Sequence, residues 1–378
     1  MSRLLAIAVV LVSVLFAPIV GAATVAQIPI PLEGLPVPQP PSISAATWLV
    51  YDDTFDQMLA SKDPDAQRPM ASTTKMMTAI VVFENADLAD RVVISAHAAG
   101  AGESEIGLYA GESMTVGDLL YALLLQSAND AAVALAEHVG GSEAGFVRMM
   151  NDTAAEMGLE NTHFVNPHGL DSPGHYSSAR DLLSIARYGM EIPEFATMVK
   201  TTSYDMPAAP DGTARTARLS NELVRTYEGA FGVKTGYTND ACLALVAGAD
   251  RDGRRIYAVV MGSEDHFADS AQLLNFGFDA FTVLSVFDVA QQLGIVRTGG
   301  DVEPALAEDP VEVFVPADNR IVAEPRSAEG GVVVVATVND EVVGTTGVRT
   351  EDLHALPGLR DSVAWASRYW NWLWGLDE

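Results

Sequence analysis

The chain has 378 residues carrying 50 acidic and 22 basic side chains, a formal charge of −28 and a pI near 4.4. This is more chain than one ordinary domain needs and enough to bury a substantial core; its acidity excludes nucleic acid and a polybasic grip on anionic lipid, since both need a cationic surface. A single cysteine, Cys242, rules out an internal disulfide framework or a Cys-rich zinc site, and lysine is scarce, occurring only at Lys62, Lys75, Lys200 and Lys234.

At the amino terminus Arg3 precedes an apolar run over residues 4–16, broken by Pro18 and followed by Gly21, Ala22 and Ala23. That is the layout of a secretory signal over residues 1–23, with a retained membrane anchor as the alternative. Either way the rest of the chain is expected outside the cytoplasm, secreted or facing the wall. Residues 24–42 read as a Pro-rich linker, because Pro29, Pro31, Pro36, Pro38, Pro40 and Pro41 favour extended backbone and forbid helix.

Residues 43–280 mix helices with strands. Residues 72–83 are almost continuously apolar after the first turn, as in a helix buried on all sides. A second helix over 116–126 has Leu119, Leu120, Leu123 and Leu124 at helical spacing. Ser127-Ala128-Asn129-Asp130 interrupts it, and helical character resumes over 131–138 before Gly140-Gly141 stops it. Strands are predicted at 231–237, 243–249 and 255–262, the last two joined by the hairpin signal Asp250-Arg251-Asp252-Gly253. The pattern is α+β. Residues 281–350 read as a small β-rich domain, with strands at 311–315, 321–323 and 332–338 and a turn at Asn339-Asp340 into 341–343.

Three short motifs carry chemistry. Ser72 and Lys75 stand at i and i+3, on one face of a helix, so the amine reaches the hydroxyl. Serine is a poor nucleophile until a base takes its proton, and a lysine with its pKa lowered by burial is such a base. The apolar residues after Lys75 make an exposed amine unexpected. Ser127 and Asn129 form a polar break in a leucine-rich region, which either presents side chains to a ligand or is merely a capped helix junction. Lys234-Thr235-Gly236 lies at a predicted strand, where lysine and threonine suit a carboxylate and glycine admits a second backbone, or where the chain simply turns.

Taken together, S-x-x-K, S-x-N and K-T-G in this order resemble the penicilloyl-serine transferases, whose β-lactamase-like α+β catalytic domain the resemblance implies here, followed by a small C-terminal β domain. The segments PMASTTKMMTA, LLLQSANDAA, FVNPHGLDSPGHYSSARDL and GVKTGYTNDA are similar to the low-molecular-mass D-alanyl-D-alanine carboxypeptidases, the S11 serine peptidases. The resemblance implies removal of the terminal D-alanine from peptidoglycan stem peptides through an acyl-enzyme on Ser72, with covalent inhibition by β-lactams. It gives Lys75 the role of base and Ser127 that of proton relay. It assigns substrate binding to Asn129, Lys234, Thr235, Gly236 and Tyr237, with the backbone N–H groups of Ser72 and Tyr237 as the oxyanion hole. It calls for no metal and no organic cofactor. Two alternatives are a serine β-lactamase, which needs a deacylating glutamate that the sequence does not place, and a catalytically idle wall-binding relative.

Asn166, His168, Asp171 and His175 match the same family segment and read as a hydrogen-bonded loop, because their spacing fits no common metal-ligand pair. Cys242 is expected to be packed. Residues 351–378 form an aromatic tail with Trp365, Tyr369, Trp370, Trp372 and Trp374, a helix candidate for peripheral contact with the outer face of the cytoplasmic membrane. In so acidic a chain that contact would have to come from the indoles.

Overall fold

The computed structural model describes residues 38–287 continuously, and beyond them only short strands. In chain order these begin with β1 (Ala26–Ile28), β2 (Thr47–Asp52), β3 (Gln57–Lys62), α1 (Lys75–Asn85), β4 (Arg91–Val93), β5 (Ser113–Thr115), α2 (Val116–Tyr121), α3 (Asn129–Gly140) and α4 (Glu143–Glu156). There follow α5 (Ala179–Glu191), α6 (Pro193–Met198), β6 (Ser203–Met206), β7 (Arg215–Arg218), α7 (Leu223–Thr226), β8 (Ala230–Thr238), β9 (Cys242–Arg251), β10 (Arg254–Ser263), α8 (His266–Asp279) and β11 (Phe281–Phe287). The predicted signal, the Asn339-Asp340 turn and the aromatic tail lie outside the described residues.

The centre of the first unit is an antiparallel sheet in the order β3-β2-β10-β9-β8. Alternate residues of its strands enter two different cores. Leu49, Tyr51, Tyr257, Val259 and Met261 face the helical side, whereas Trp48, Val50, Ile256, Ala258 and Val260 pack with Leu273 and Leu274 of α8. Both faces are therefore covered, which is why these strands read as apolar runs instead of alternating. The β9–β10 hairpin turns at Asp252 and Gly253, both with positive φ (49° and 78°), the conformation that two-residue hairpins favour.

On the helical side α1 is the axis. Met76, Met77, Ala79, Ile80, Val81 and Val82 are all fully buried, each of the larger side chains contributing about 1.5–3 kcal/mol of transfer free energy. The helix begins later than expected: Ala71–Thr74 form a 3₁₀ turn, and regular α-helix starts at Lys75. The predicted second helix ends as an α-helix at Tyr121 and continues through a π-turn, Ala122–Gln126, before the break at Ser127. The next helix restarts at Asn129, two residues earlier than the sequence suggests.

A second compact unit begins at Leu284. It contains β12 (Gln292–Thr298), β13 (Asp301–Ala307), the first half of β14 (Val311–Pro316), β15 (Ile321–Ala328), β16 (Gly331–Val338) and β17 (Glu341–Thr350), with a sheet ordered β12-β13-β17-β16-β15. Strands β12 and β13 were not anticipated, and β15 and β17 run well past their predicted ends. Within the expected linker, β1 pairs in parallel with β14, Ala26 to Val311, so that segment is not wholly a tether.

Candidate active site

Ser72 sits in the 3₁₀ turn that opens α1. Thr73 Oγ1 donates to the Met70 carbonyl at 2.6 Å and Thr74 Oγ1 to the Ala71 carbonyl at 2.8 Å, which fixes the turn from within. Ala71 enters it with φ +49°, a left-handed conformation costly for a residue with a Cβ and maintained only where its surroundings enforce it. One turn on, Lys75 Nζ lies 2.9 Å from Ser72 Oγ, with Lys75 fully buried.

The other contacts of Lys75 define its proton inventory. Its Nζ is 2.8 Å from Asn129 Oδ1 and 2.5 Å from the His168 carbonyl. Asn129 Nδ2 donates to the Gly102 carbonyl at 3.0 Å, so Oδ1 is the atom turned to the lysine. Both of those partners are acceptors only. A neutral amine has two N–H bonds and one lone pair; with both hydrogens committed, the lone pair faces the Ser72 hydroxyl. Burial, and next the charge of Lys234, lower the Lys75 pKa well below its ordinary value, against weaker opposition from Asp130 and Glu103. Geometry and electrostatics both suit this amine to taking a proton from the serine.

Lys234 belongs to β8, at the sheet edge. It is 1% exposed, and its Nζ donates to Ser127 Oγ at 3.0 Å and to the Thr235 carbonyl at 2.9 Å. Burial lowers its pKa to about 7. Ser127 follows the π-turn with φ +64°, so the extra residue and the left-handed bend point its hydroxyl out of the helix and toward β8. Thr235 Oγ1 lies 3.0 Å from Ser220 Oγ. Gly236 is needed for approach: a Cβ there would stand 3.0 Å from both Ser72 N and Ala71 Cβ, so the strand and the nucleophile turn touch backbone to backbone.

The 166–175 segment supports this centre from behind. Asn166 Oδ1 accepts from the N–H groups of His168 and Gly169, and Asp171 accepts from Thr238 Oγ1 at 2.6 Å and from Asp240 N. His175 Nδ1 accepts from Val165 N, which leaves Nε2–H to donate to Thr74 Oγ1 at 2.8 Å. Burial lowers the His175 pKa to about 4, keeping the ring neutral for this bond. The segment is a hydrogen-bonded loop, as expected. Among the described residues no group of three or more His, Cys, Asp or Glu is placed to hold a metal ion.

Seven of the eight predicted site residues, Ser72, Lys75, Ser127, Asn129, Lys234, Thr235 and Gly236, are thus joined through direct contacts. Tyr237 stands next to them on β8 with its side chain 63% exposed. Cys242 corrects an expectation: it is exposed, because it opens β9 at φ +56°, where the hairpin turns away from the core. Sequence reasoning missed Ser220, for which no motif spoke. It also gave no role to Asp130, a buried carboxylate that accepts from the N–H groups of Ile106, Gly107, Leu108 and Ala131. An acidic residue inside an apolar helix start was its only signal.

A serine paired with a buried lysine at the head of a core helix, opposite a K-T-G edge strand, defines the penicillin-binding, serine acyl-transfer class. The D-alanyl-D-alanine carboxypeptidase model of peptidase family S11 matches residues 36–265. The chain is 36% identical over 259 residues to the D-alanyl-D-alanine carboxypeptidase DacF of Bacillus subtilis, a match covering 66% of each protein. It is 37% identical over 256 residues to DacB2 of Mycobacterium tuberculosis, covering 66% of this chain and 86% of that one. Among solved structures, the Streptomyces K15 DD-transpeptidase aligns with a TM-score of 0.61 at 34% identity, over 64% of this chain and 99% of that one. Penicillin binding protein 5 of Haemophilus influenzae aligns with a TM-score of 0.64 at 27% identity, over 83% and 98%. The chain belongs to the S11 family of serine-type D-Ala-D-Ala carboxypeptidases. The family acts outside the cytoplasm on peptidoglycan peptides and binds β-lactams, and membership decides against the β-lactamase alternative. Among the described residues no helix is long and apolar enough to cross a membrane.

Proposed function

We propose that Ser72 is the nucleophile, Lys75 the general base, and Ser127 with Lys234 the path for the proton to the leaving D-alanine. Ser72 Oγ attacks the carbonyl carbon of the penultimate D-alanine as its proton passes to neutral Lys75. The backbone N–H groups of Ser72 and Tyr237 receive the developing oxyanion. The C–N bond then breaks, and the leaving nitrogen takes the proton that Lys75 received, passed through the Ser127 hydroxyl while Lys234 stays charged beside it; this returns Lys75 to the neutral amine. Water, deprotonated by Lys75, attacks the acyl-enzyme and frees Ser72. Lys234 supplies positive charge, and Thr235 with Ser220 supplies hydroxyl donors, for the terminal carboxylate of the substrate. Asn129 orients Lys75 and offers its remaining amide hydrogen to the acyl side.

The observation that supports this reading best is the contact set of Lys75, two pure acceptors and one serine hydroxyl around a buried amine. D-Alanine release from diacetyl-Lys-D-Ala-D-Ala is the test. Release by the wild type and none by Ser72→Ala is expected; no release by the wild type favours the idle wall-binding alternative.

Cleavage of a signal over residues 1–23, a catalytic domain over 43–280, a β domain over 281–350 and membrane contact through 351–378 complete the proposal. Membrane fractionation with and without residues 360–378 tests the tail, and equal partitioning removes it.

A further inference from the structure

A carboxylate beside the Ser127–Asn129 turn, Glu103, has no role in the scheme above. Residues 102–108 are stitched to the turn that carries Ser127 and Asn129. The Gly102 carbonyl accepts from Asn129 Nδ2 at 3.0 Å, and the Ser104 carbonyl accepts from Asn129 N at 2.6 Å. Ser104 Oγ donates to the Gln126 carbonyl at 2.9 Å, and Gln126 Nε2 donates to the Glu105 carbonyl at 2.7 Å. The neighbouring carboxylates are consumed by the backbone: Glu105 Oε1 accepts from Gly102 N at 2.8 Å, and Asp130 holds Ile106, Gly107 and Leu108.

Glu103 sits between the two clamped carbonyls and differs in every respect. It is exposed, takes φ +62°, and makes no hydrogen bond or ion pair among the described residues. Both flanking residues are bonded to Asn129, which is itself bonded to Lys75, so the Glu103 backbone is held two bonded contacts from the nucleophile's base. Its charge acts on Lys75 through space, against the burial that lowers that amine's pKa. A left-handed conformation at a residue with a long charged side chain costs about 1 kcal/mol or more and persists only where surrounding bonds impose it. Here those bonds hold an exposed anion on the segment clamped to Asn129.

We infer that Glu103 is a specificity residue that receives a cationic side chain on the residue preceding the D-Ala-D-Ala pair of the substrate. The inference rests on the residue roles proposed above. Stem peptides cleaved at that position present an amine on this residue when it is a diamino acid, and a neutral one when that amine is acylated or crosslinked. Glu103 would thus favour uncrosslinked peptides. The general negative field of the chain also attracts cations, but removing one charge from a net −28 barely alters that field, whereas it abolishes a local pair.

The experiment compares kcat/KM for Nα-acetyl-Lys-D-Ala-D-Ala, with its free ε-amine, and Nα,Nε-diacetyl-Lys-D-Ala-D-Ala, using the full chain and counting active sites by fluorescent penicillin. The ratio is internal to each protein and so independent of the folded fraction. The wild type is expected to prefer the free amine by about three- to fivefold at low salt, the range of a partly exposed ion pair. The preference should fall to about one in Glu103→Gln, invert in Glu103→Lys, and fade as ionic strength rises. No preference in the wild type, or an unchanged ratio in both variants, overturns the subsite while leaving the carboxypeptidase roles standing. Equal losses on both peptides with a displaced acidic limb would make Glu103 a tuner of Lys75 only, which also overturns it. Release from neither peptide by the wild type overturns the residue roles, and this inference with them.

Discussion

The Ser72–Lys75 and Ser127–Lys234 pairs use the same two residue types at almost the same separation, 2.9 and 3.0 Å, and both lysines are buried. What differs is the rest of each amine's surroundings. Lys75 meets two fixed acceptors besides its serine, so a neutral amine is fully matched there. Lys234 meets one carbonyl and one hydroxyl, which leaves donor capacity for an anion at the edge of the sheet. Depressed basicity thus suits the proposed base in one case and the proposed cation, near its titration point, in the other. Burial lowers both pKa values; the hydrogen-bond partners are what distinguish the two lysines.

Replacing each lysine by arginine tests this contrast most directly. Ser72→Ala and Lys75→Arg should each lose about 10³-fold or more in D-alanine release, because the first has no nucleophile and the second has a side chain that stays protonated. A mild effect of Lys75→Arg would remove lysine from the base role. Gly169→Ala comes next. A Cβ at that residue, whose φ is +93°, would stand 2.0 Å from the Ala71 carbonyl oxygen. The nucleophile turn must shift, at a cost of about 1–3 kcal/mol in unfolding free energy, together with slower acylation by penicillin. Unchanged denaturant midpoint and acylation rate would show that the turn does not depend on the 166–175 loop.

Smaller effects fall on the pH profile. Lys75 must be neutral, so kcat/KM falls as pH drops through its pKa; Lys234 must be charged, so kcat/KM falls as pH rises through about 7. Asn129→Asp places a carboxylate against Lys75, raises that pKa, and should move the acidic limb to higher pH, with no movement arguing that Lys75 does not govern it. Lys234→Arg keeps the charge at every working pH. It should cost about tenfold or less and carry the alkaline limb upward. If the two arginine variants lose activity equally, the two lysines are not distinguished by charge state.

Much of this site could be read from residue order. The i, i+3 spacing of Ser72 and Lys75 and the apolar residues that follow them placed a buried amine beside a hydroxyl, as observed. The K-T-G glycine was expected to admit a second backbone, and Gly236 does so against Ser72. Local patterns did not disclose the 3₁₀ turn at Ala71–Thr74 or the π-turn at Ala122–Gln126, because both are tied to distant segments, Thr74 to His175 of the 166–175 loop, and Leu125 and Gln126 to Ser220, Ser104 and Glu105. Cys242 was misjudged for a related reason: strand propensity says nothing about which end of a hairpin leaves the core. Ser220 was invisible because its only distinction is a neighbour fifteen residues away.

Residue order alone carries the acidity, the single cysteine, the three motifs and, through them, the expectation of a serine activated by lysine. These are properties of residue identity and short-range spacing, which local geometry carries. Tertiary packing added the surroundings that separate the two lysines, whether the partners at Nζ can donate or only accept, and these support the base and cation roles proposed for them. Those partners come from the Asn129 turn, the His168 loop and the edge strand, brought together from 54, 93 and 107 residues apart.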